Sequence, residues 1–438
     1  MTSVWLKKKY PLLHFVGMMA VLFLMGTANK SMAANLSVVL SSDMDYSSNI
    51  DSDTTNTVED VVQSIGIKVG VIENTKNYQV SGDFSVKGEH SYADRFSDQS
   101  AASAGFGLFN FDLIESFLNW QSSVTRNQVL NDVTGTDTDD NTGHRDIIRT
   151  GPGVSYKISK STSLGLVANY INVEISDPTG VDTERVDANL NLKHEVNSVT
   201  ALTLTTQYEE LLKAAETDEF QSSNINVGLI RRFPRGSLVF KYGETKSESN
   251  NISATKGSFY NLTLIKEKVL WHDLSLRYVQ DISDVSLGFD LDLELPAGEV
   301  ATVNVTGNDI VKRKSFNFGI SRVFGLYNYR VGVSFDESDF VTRNDDSKSK
   351  GLNVSFGQNI SRGLDVTYSY AFGSSEFAEQ PDVGTSSTTR YKVRSTYSLS
   401  ADLSVNGFVG FAKRKNNENQ IKEFEAFSMG VGVAWAIY

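Results

Sequence analysis

Apolar and polar residues alternate along most of this chain, one residue at a time. Leu352, Val354 and Phe356 alternate with Asn353, Ser355 and Gly357. After Ser361, Arg362 and Gly363, the residues Leu364, Val366, Tyr368, Tyr370 and Phe372 alternate with Asp365, Thr367, Ser369, Ala371 and Gly373. Side chains of a strand point to opposite faces with period two, so each such run is a strand with one apolar and one small, polar face. Alternation bounded by polar clusters predicts twenty strands. They cover 36–46, 61–74, 77–92, 99–109, 115–130, 146–159, 162–176, 186–196, 199–213, 222–232, 236–247, 256–268, 271–287, 312–323, 327–340, 350–360, 364–376, 388–399, 402–414 and 421–437. The segment Asp112 to Leu118 fits a short helix as well as a strand end.

The connections fall into two classes that alternate. Nine are very short, such as Asn74 to Asn77, Lys160–Ser161, Asn197–Ser198, Phe233 to Arg235 and Val269–Leu270. The others include 47–60, 131–145, 177–185, 248–255, 288–311, 341–349 and 377–387, and are rich in Asp, Ser, Thr, Asn and Gly. Tight turns at one end and long loops at the other are the signature of a transmembrane antiparallel up-and-down β-barrel. The expected fold is therefore all-β, with about twenty strands in a range of roughly 16–20, short periplasmic turns and long outer loops. A sheet this long leaves aggregation-prone edges unless it closes, and in hydrocarbon closure is compulsory. A propeller or β-helix would show an exact shorter repeat, and none is present. Ser-Arg or Arg-Arg at strand-to-turn junctions (Ile230 to Phe233, Ile320 to Phe324, Asn359 to Arg362) fits repeated hairpin geometry.

Alternation assigns Leu190, Leu192, Leu202, Leu204, Leu238, Phe240, Tyr329, Val331 and Val333 to the lipid face. Asn189, Asn191, Thr203, Thr205, Arg330 and Ser334 fall on the lumen face. Charges expected to line the lumen are Lys193, Glu195, Glu209, Lys241, Asp273, Arg277, Arg330, Asp365, Lys392 and Arg394. Such charges either select permeating ions or pair with each other and stiffen the wall. Tyr92, Trp120, Tyr208, Tyr242, Trp271, Tyr278, Phe335, Tyr370 and Phe411 sit near strand ends, as interfacial belts require. The last strand places Phe427, Met429, Val431, Val433, Trp435 and Ile437 on one face, and the chain ends at Tyr438. Val431, Val433, Trp435, Ile437 and Tyr438 resemble the terminal signal by which such proteins reach the barrel-insertion machinery. Tyr438 departs from it, lying one residue out of phase.

The first residues change the picture. Lys7 to Lys9, the apolar run Leu12 to Met25, and Ser31-Met32-Ala33 form a basic region, a hydrophobic region and a small-residue cleavage site. Residues 1–33 are expected to be a signal peptide and 34–438 the barrel. No other apolar run is long enough for a membrane helix. The net charge of −12 falls to about −16 without the four leader lysines, which argues against nucleic-acid binding. There is no cysteine, which excludes thiol catalysis and Cys-ligated metal.

Catalytic patterns are absent. The five histidines (His14, His90, His144, His194, His272) stand apart, and no Gly-x-Ser-x-Gly occurs. Asp137 to Gly143 begins like a calcium loop, but Gly143 is one position late and Ile148 replaces the bidentate Glu, so a solvated acidic loop is favoured. No cofactor, metal or enzyme activity is expected.

The early loop after the first strand (Met44 to Ile50), Phe111-Asp112-Leu113-Ile114 ahead of Trp120, Arg149-Thr150-Gly151-Pro152-Gly153 and the repeated Ser-Arg turns resemble the outer-membrane barrels associated with PEP-CTERM/exosortase loci. That resemblance implies a place in the bacterial outer membrane beside polysaccharide export. The expected function is a non-enzymatic pore or export channel for hydrophilic solutes, with exopolysaccharide as the implied cargo. The alternative is a closed-lumen scaffold or surface-binding barrel. Expected partners are outer-membrane lipid, the insertion machinery and a polysaccharide export apparatus.

Overall fold

The computed structural model describes residues 35–49, 59–92, 99–130, 142–175, 182–213, 220–249, 252–269, 271–284, 293–294, 300–303, 310–341, 346–377, 385–416 and 423–437. The expected signal peptide, the start of the calcium-like loop and Tyr438 lie outside them. The strands are β1 Asn35–Ser47, β2 Asp60–Asn74, β3 Tyr78–Ser91, β4 Gln99–Ile114, β5 Leu118–Leu130, β6 Thr142–Lys157, β7 Thr162–Ile175, β8 Thr183–Asn197, β9 Thr200–Lys213, β10 Phe220–Phe233 and β11 Gly236–Ser249. They continue as β12 Ile252–Val269, β13 His272–Asp284, β14 Leu293–Glu294, β15 Val300–Val303, β16 Ile310–Phe324, β17 Tyr327–Phe340, β18 Ser347–Ser361, β19 Leu364–Phe377, β20 Thr385–Ser398, β21 Leu403–Asn416 and β22 Phe424–Ile437.

Twenty of these strands form one antiparallel wall in chain order, with β13 joined directly to β16. The wall closes where β1 pairs with β22, from Val38–Ile437 to Ser47–Ser428. The last strand is thus the seam, held by β21 on one side and β1 on the other. Closure leaves no edge inside the wall, so each central backbone group has a partner on both sides.

The register fixes the faces. Directly opposed residues share a face, and Leu192–Leu204, Val331–Val354 and Val354–Tyr370 form one apolar exterior. Asn191–Thr205, Arg330–Ser355 and Ser355–Ser369 form the polar interior. Large exterior side chains such as Leu204, Tyr242, Phe356 and Trp435 are exposed, as a lipid-facing surface requires. Exterior rings meet across strands: Phe316 and Phe335 at 6.1 Å and Tyr242 and Tyr260 at 5.1 Å, both tilted, toward the long-loop end, and Tyr327 stacked on Phe356 at 5.8 Å toward the short-turn end.

The short turns are stereochemically specified. Gly363 has φ +92°, which an L side chain resists, and it closes the two-residue turn between Ser361 and Leu364. Asn197 Oδ1 accepts hydrogen bonds from the backbone N–H of Val199 (3.0 Å) and Thr200 (2.9 Å), holding the β8–β9 turn. In β6, a Cβ on Gly151 would lie 1.8 Å from the Ala168 carbonyl oxygen, and Pro152 brings no N–H to the ladder. That local press of backbone on backbone explains the Thr-Gly-Pro-Gly run.

Several expectations need correction. Asp112 to Leu118 is not helical: β4 runs to Ile114 and β5 starts at Leu118, with Ser116 at φ +60° in the turn. The expected 248–255 loop is mostly strand, because β11 reaches Ser249 and β12 begins at Ile252. Polar residues there alternate as well as apolar ones do, and strands extending past the membrane need no apolar face. The 288–311 loop contains β14 and β15, which pair with each other.

Candidate functional site: the polar interior

The lumen candidates lie on interior positions spread around the wall and do not form one cluster. Lys193 and Glu195 sit near the short-turn end of β8, with Nζ donating to Oε1 at 2.7 Å. Glu209 lies toward the long-loop end and accepts from Nη1 of Arg185 at 2.9 Å. Lys241 faces Gly228 and Asn261, whose lack of bulk leaves it room. Asp273 accepts the Lys268 backbone N–H at 3.0 Å and so braces the β12–β13 turn. Arg277 faces Thr263 and Asn317, and Arg330 faces Ser321 and Ser355.

On β19 and β20, Asp365 faces Asn359 and Thr396, Lys392 faces Ser369 and Gly410, and Arg394 faces Thr367 and Phe408. The Lys392 ammonium stands 4.3 Å from the Phe408 ring centroid, a cation–π distance. Asp43 and Asp45 lean over Gly432 and Gly430, where no side chain blocks them. Interior groups beyond the expected set are Arg185, Arg390, Arg414, and the pairs Arg313–Asp336 (3.7 Å) and Lys68–Asp83 (3.1 Å). Strict alternation extended to every strand would have named all of them. The terminal residues Val431, Val433, Trp435 and Ile437 are all exposed on the exterior of the seam strand.

The two ends of the interior differ. Toward the long loops, Val173, Arg185, Ser247 and Val311 are 0 % exposed, and Arg145, Ile171 and Thr183 are nearly so. Toward the short turns, interior Val323 is 79 % and Ile72 55 % exposed. Interior side chains at the short-turn rim are thus open to solvent, while those toward the long loops are packed. Leu211 and Phe220 also cluster with Ile282 and Ile310 at the long-loop ends of β13 and β16.

A second feature narrows the outer opening. The β4–β5 ladder ends at Gly105–Arg126, and β15 pairs in parallel with Val129 and Leu130 farther along β5. Ile310, which opens β16, follows Val303 by only seven positions, and seven residues reach at most about 25 Å. Along the rim, β5 and β16 are nine strand spacings apart, at least ~43 Å at ~4.8 Å each. Val303 and Ile310 are thus linked across the opening, from the tip of β5 that projects beyond its ladder with β4.

Comparison with known proteins agrees on architecture. No sequence family profile and no curated protein matches the chain. Among solved structures, it is similar to the apoprotein form of the FrpB iron transporter from Neisseria meningitidis, at 9% identity, over 92% of this chain and 81% of that one, with a TM-score of 0.50. It is also similar to a loop-deletion form of OmpT, an outer membrane protein of Vibrio cholerae (8% identity, 93% and 100% covered, TM-score 0.39), and to Pseudomonas aeruginosa OpdK with vanillate (10% identity, 92% and 99% covered, TM-score 0.38). At such identities the likeness speaks for the fold alone. The chain has the fold of bacterial outer-membrane β-barrels, with a lipid-facing exterior and a polar interior.

Proposed function

We propose that this barrel is a non-enzymatic outer-membrane channel for hydrophilic solutes, restricted at its outer mouth. One observation carries the reading: a continuous polar interior, water-exposed at the short-turn end and packed at the other. Solutes partition into the wide inner vestibule and meet a narrow outer step. Lining charges such as Arg330, Lys392 and Arg394 bias which ions pass. The resemblance to exosortase-associated barrels extends the proposal to exopolysaccharide as cargo, handed over by a periplasmic export apparatus. The leader 1–33 and the terminal strand are proposed to direct export and insertion.

The complete burial of interior Arg185 and Val173 favours a second reading, a sealed barrel that serves as a surface scaffold. Planar-bilayer recording of the refolded protein separates the two. A channel gives stable conductance steps, and Arg394→Glu moves the reversal potential in a salt gradient toward cation preference. Silence in correctly folded protein refutes the channel and supports the scaffold. Soluble exopolysaccharide added to the periplasmic side should block a polymer channel, and unaltered current would remove that cargo.

A further inference from the structure

We propose that the exterior of β16–β18, at and just beyond the outer aromatic belt, is a docking site for the phosphorylated headgroup of an outer-leaflet lipid.

Four lysines share this patch. Lys314 and Lys312 follow exterior Phe316 toward the long loops; two strands away Lys350 is level with Phe316 and Lys348 with Lys314. Residues two apart on one strand face are about 7 Å apart, and two strand spacings make about 10 Å. The four side chains thus occupy three levels, a patch about 14 Å along the strands by about 10 Å across them. Between them, Glu337 on β17 fixes two ammonium groups at once, Lys314 at 2.7 Å and Lys348 at 3.2 Å. Both lysine side chains remain about half exposed. Asp339 opposes Lys312, and Glu376 opposes Lys348. Lys350 lies lowest, and its opposed residues are Phe335 and Ser374, with no carboxylate on either side.

The height of the patch supplies the identity of the ligand. Phe316 and Phe335, whose rings meet at 6.1 Å, mark the level where hydrocarbon gives way to headgroups. Lysines at this level (Lys350) and one step beyond it (Lys314, Lys348) can lay their methylene stems along the apolar wall and present their charge at headgroup depth. Phosphate is the anion that lipid presents there. Charge around the barrel sharpens the choice of face. On β6–β9 the exterior charges at the outer end are Asp146, Glu174, Glu184 and Glu210, and Arg126 of β5 is bound by Asp146 at 2.6 Å. That arc is net negative, whereas the β16–β18 patch sets four lysines against Glu337, Asp339 and Glu376 and is net positive. The Glu337 carboxylate holds Lys314 and Lys348 in place, which lowers the entropy lost on binding.

The test uses the full chain refolded in detergent micelles, titrated with lipid A and with its dephosphorylated form. Lipid A should bind at least about 10-fold more tightly than the dephosphorylated form, since each basic residue at the surface contributes modestly to anionic-lipid binding. The variant K312Q/K314Q/K348Q/K350Q should lose that preference, while E174Q/E210Q should keep it. Millimolar inorganic phosphate should not displace the lipid, because the wall also engages its chains; displacement would overturn the lipid assignment in favour of a free anion site. Equal affinity of both lipids, or an unchanged preference in the lysine variant, refutes the proposal. Heat-dependent electrophoretic migration verifies that each variant is folded. Conductance is indifferent to this exterior patch, so failure here leaves the channel proposal intact.

Discussion

Asn353 and Val354 are adjacent in the chain but sit on opposite faces of the wall. Val354 is opposed by Val331 and Tyr370, and Asn353 by Gly332 and Ala371. Both lie midway along β18, between Lys350 opposite the outer-belt Phe335 and Phe356 in the inner belt. Val354→Arg therefore puts a guanidinium at the bilayer midplane. The cost there is about 2–4 kcal/mol. At 1.4 kcal/mol per decade this is a roughly 30- to 700-fold loss in the folding equilibrium. Asn353→Arg puts the same group into the polar interior, beside a glycine and an alanine, and should cost under ~1 kcal/mol. Reversible urea unfolding in lipid vesicles, followed by tryptophan fluorescence, measures both. A penalty confined to Val354→Arg is expected. Equal penalties, or a larger one for Asn353→Arg, would refute the assignment of faces on which the barrel rests.

Two other perturbations probe details of the wall. Val129→Cys with Thr302→Cys joins directly paired residues of β5 and β15 in a chain that has no native cysteine, so oxidation should pin the outer crossing. Conductance should fall on oxidation and recover with reductant; an unchanged current would mean that the crossing does not lie in the solute path. Gly151→Val drives a side chain into the Ala168 carbonyl and should destabilise by about 1–3 kcal/mol, read as a lower urea midpoint. A neutral result would show that β6 and β7 are not in close backbone contact there.

Much of the wall was legible because one short-range rule governs it. A strand between lipid and water must alternate, so Leu352 to Phe356 and Leu364 to Phe372 announced both their structure and their faces. Counting by twos assigned Lys193, Glu209, Lys392 and Arg394 to the lumen face, and the β8–β9 register holds one count from Arg185–Leu211 to Glu195–Ala201, shifting only at the strand ends. Strand ends were harder. Beyond the aromatic belts the exterior need not be apolar, so Glu248, Ser249 and Ile252 to Thr255 looked like loop while pairing as strand. Glu337 gave no local sign that it bridges two lysines from neighbouring strands, because that contact exists only across the sheet.

The sequence by itself determined the number of strands, the alternation of turns and which side chains meet lipid, since each depends on residues a few positions apart. Tertiary structure alone decided that β22 seals against β1, that β15 reaches β5, and that the outer interior is packed around Arg185 and Val173. Those features join residues far apart in the chain, and they depend on the closure and shape of the cylinder. No periodic pattern encodes that shape, because an open ring and a crossed one place the same residues on the same faces.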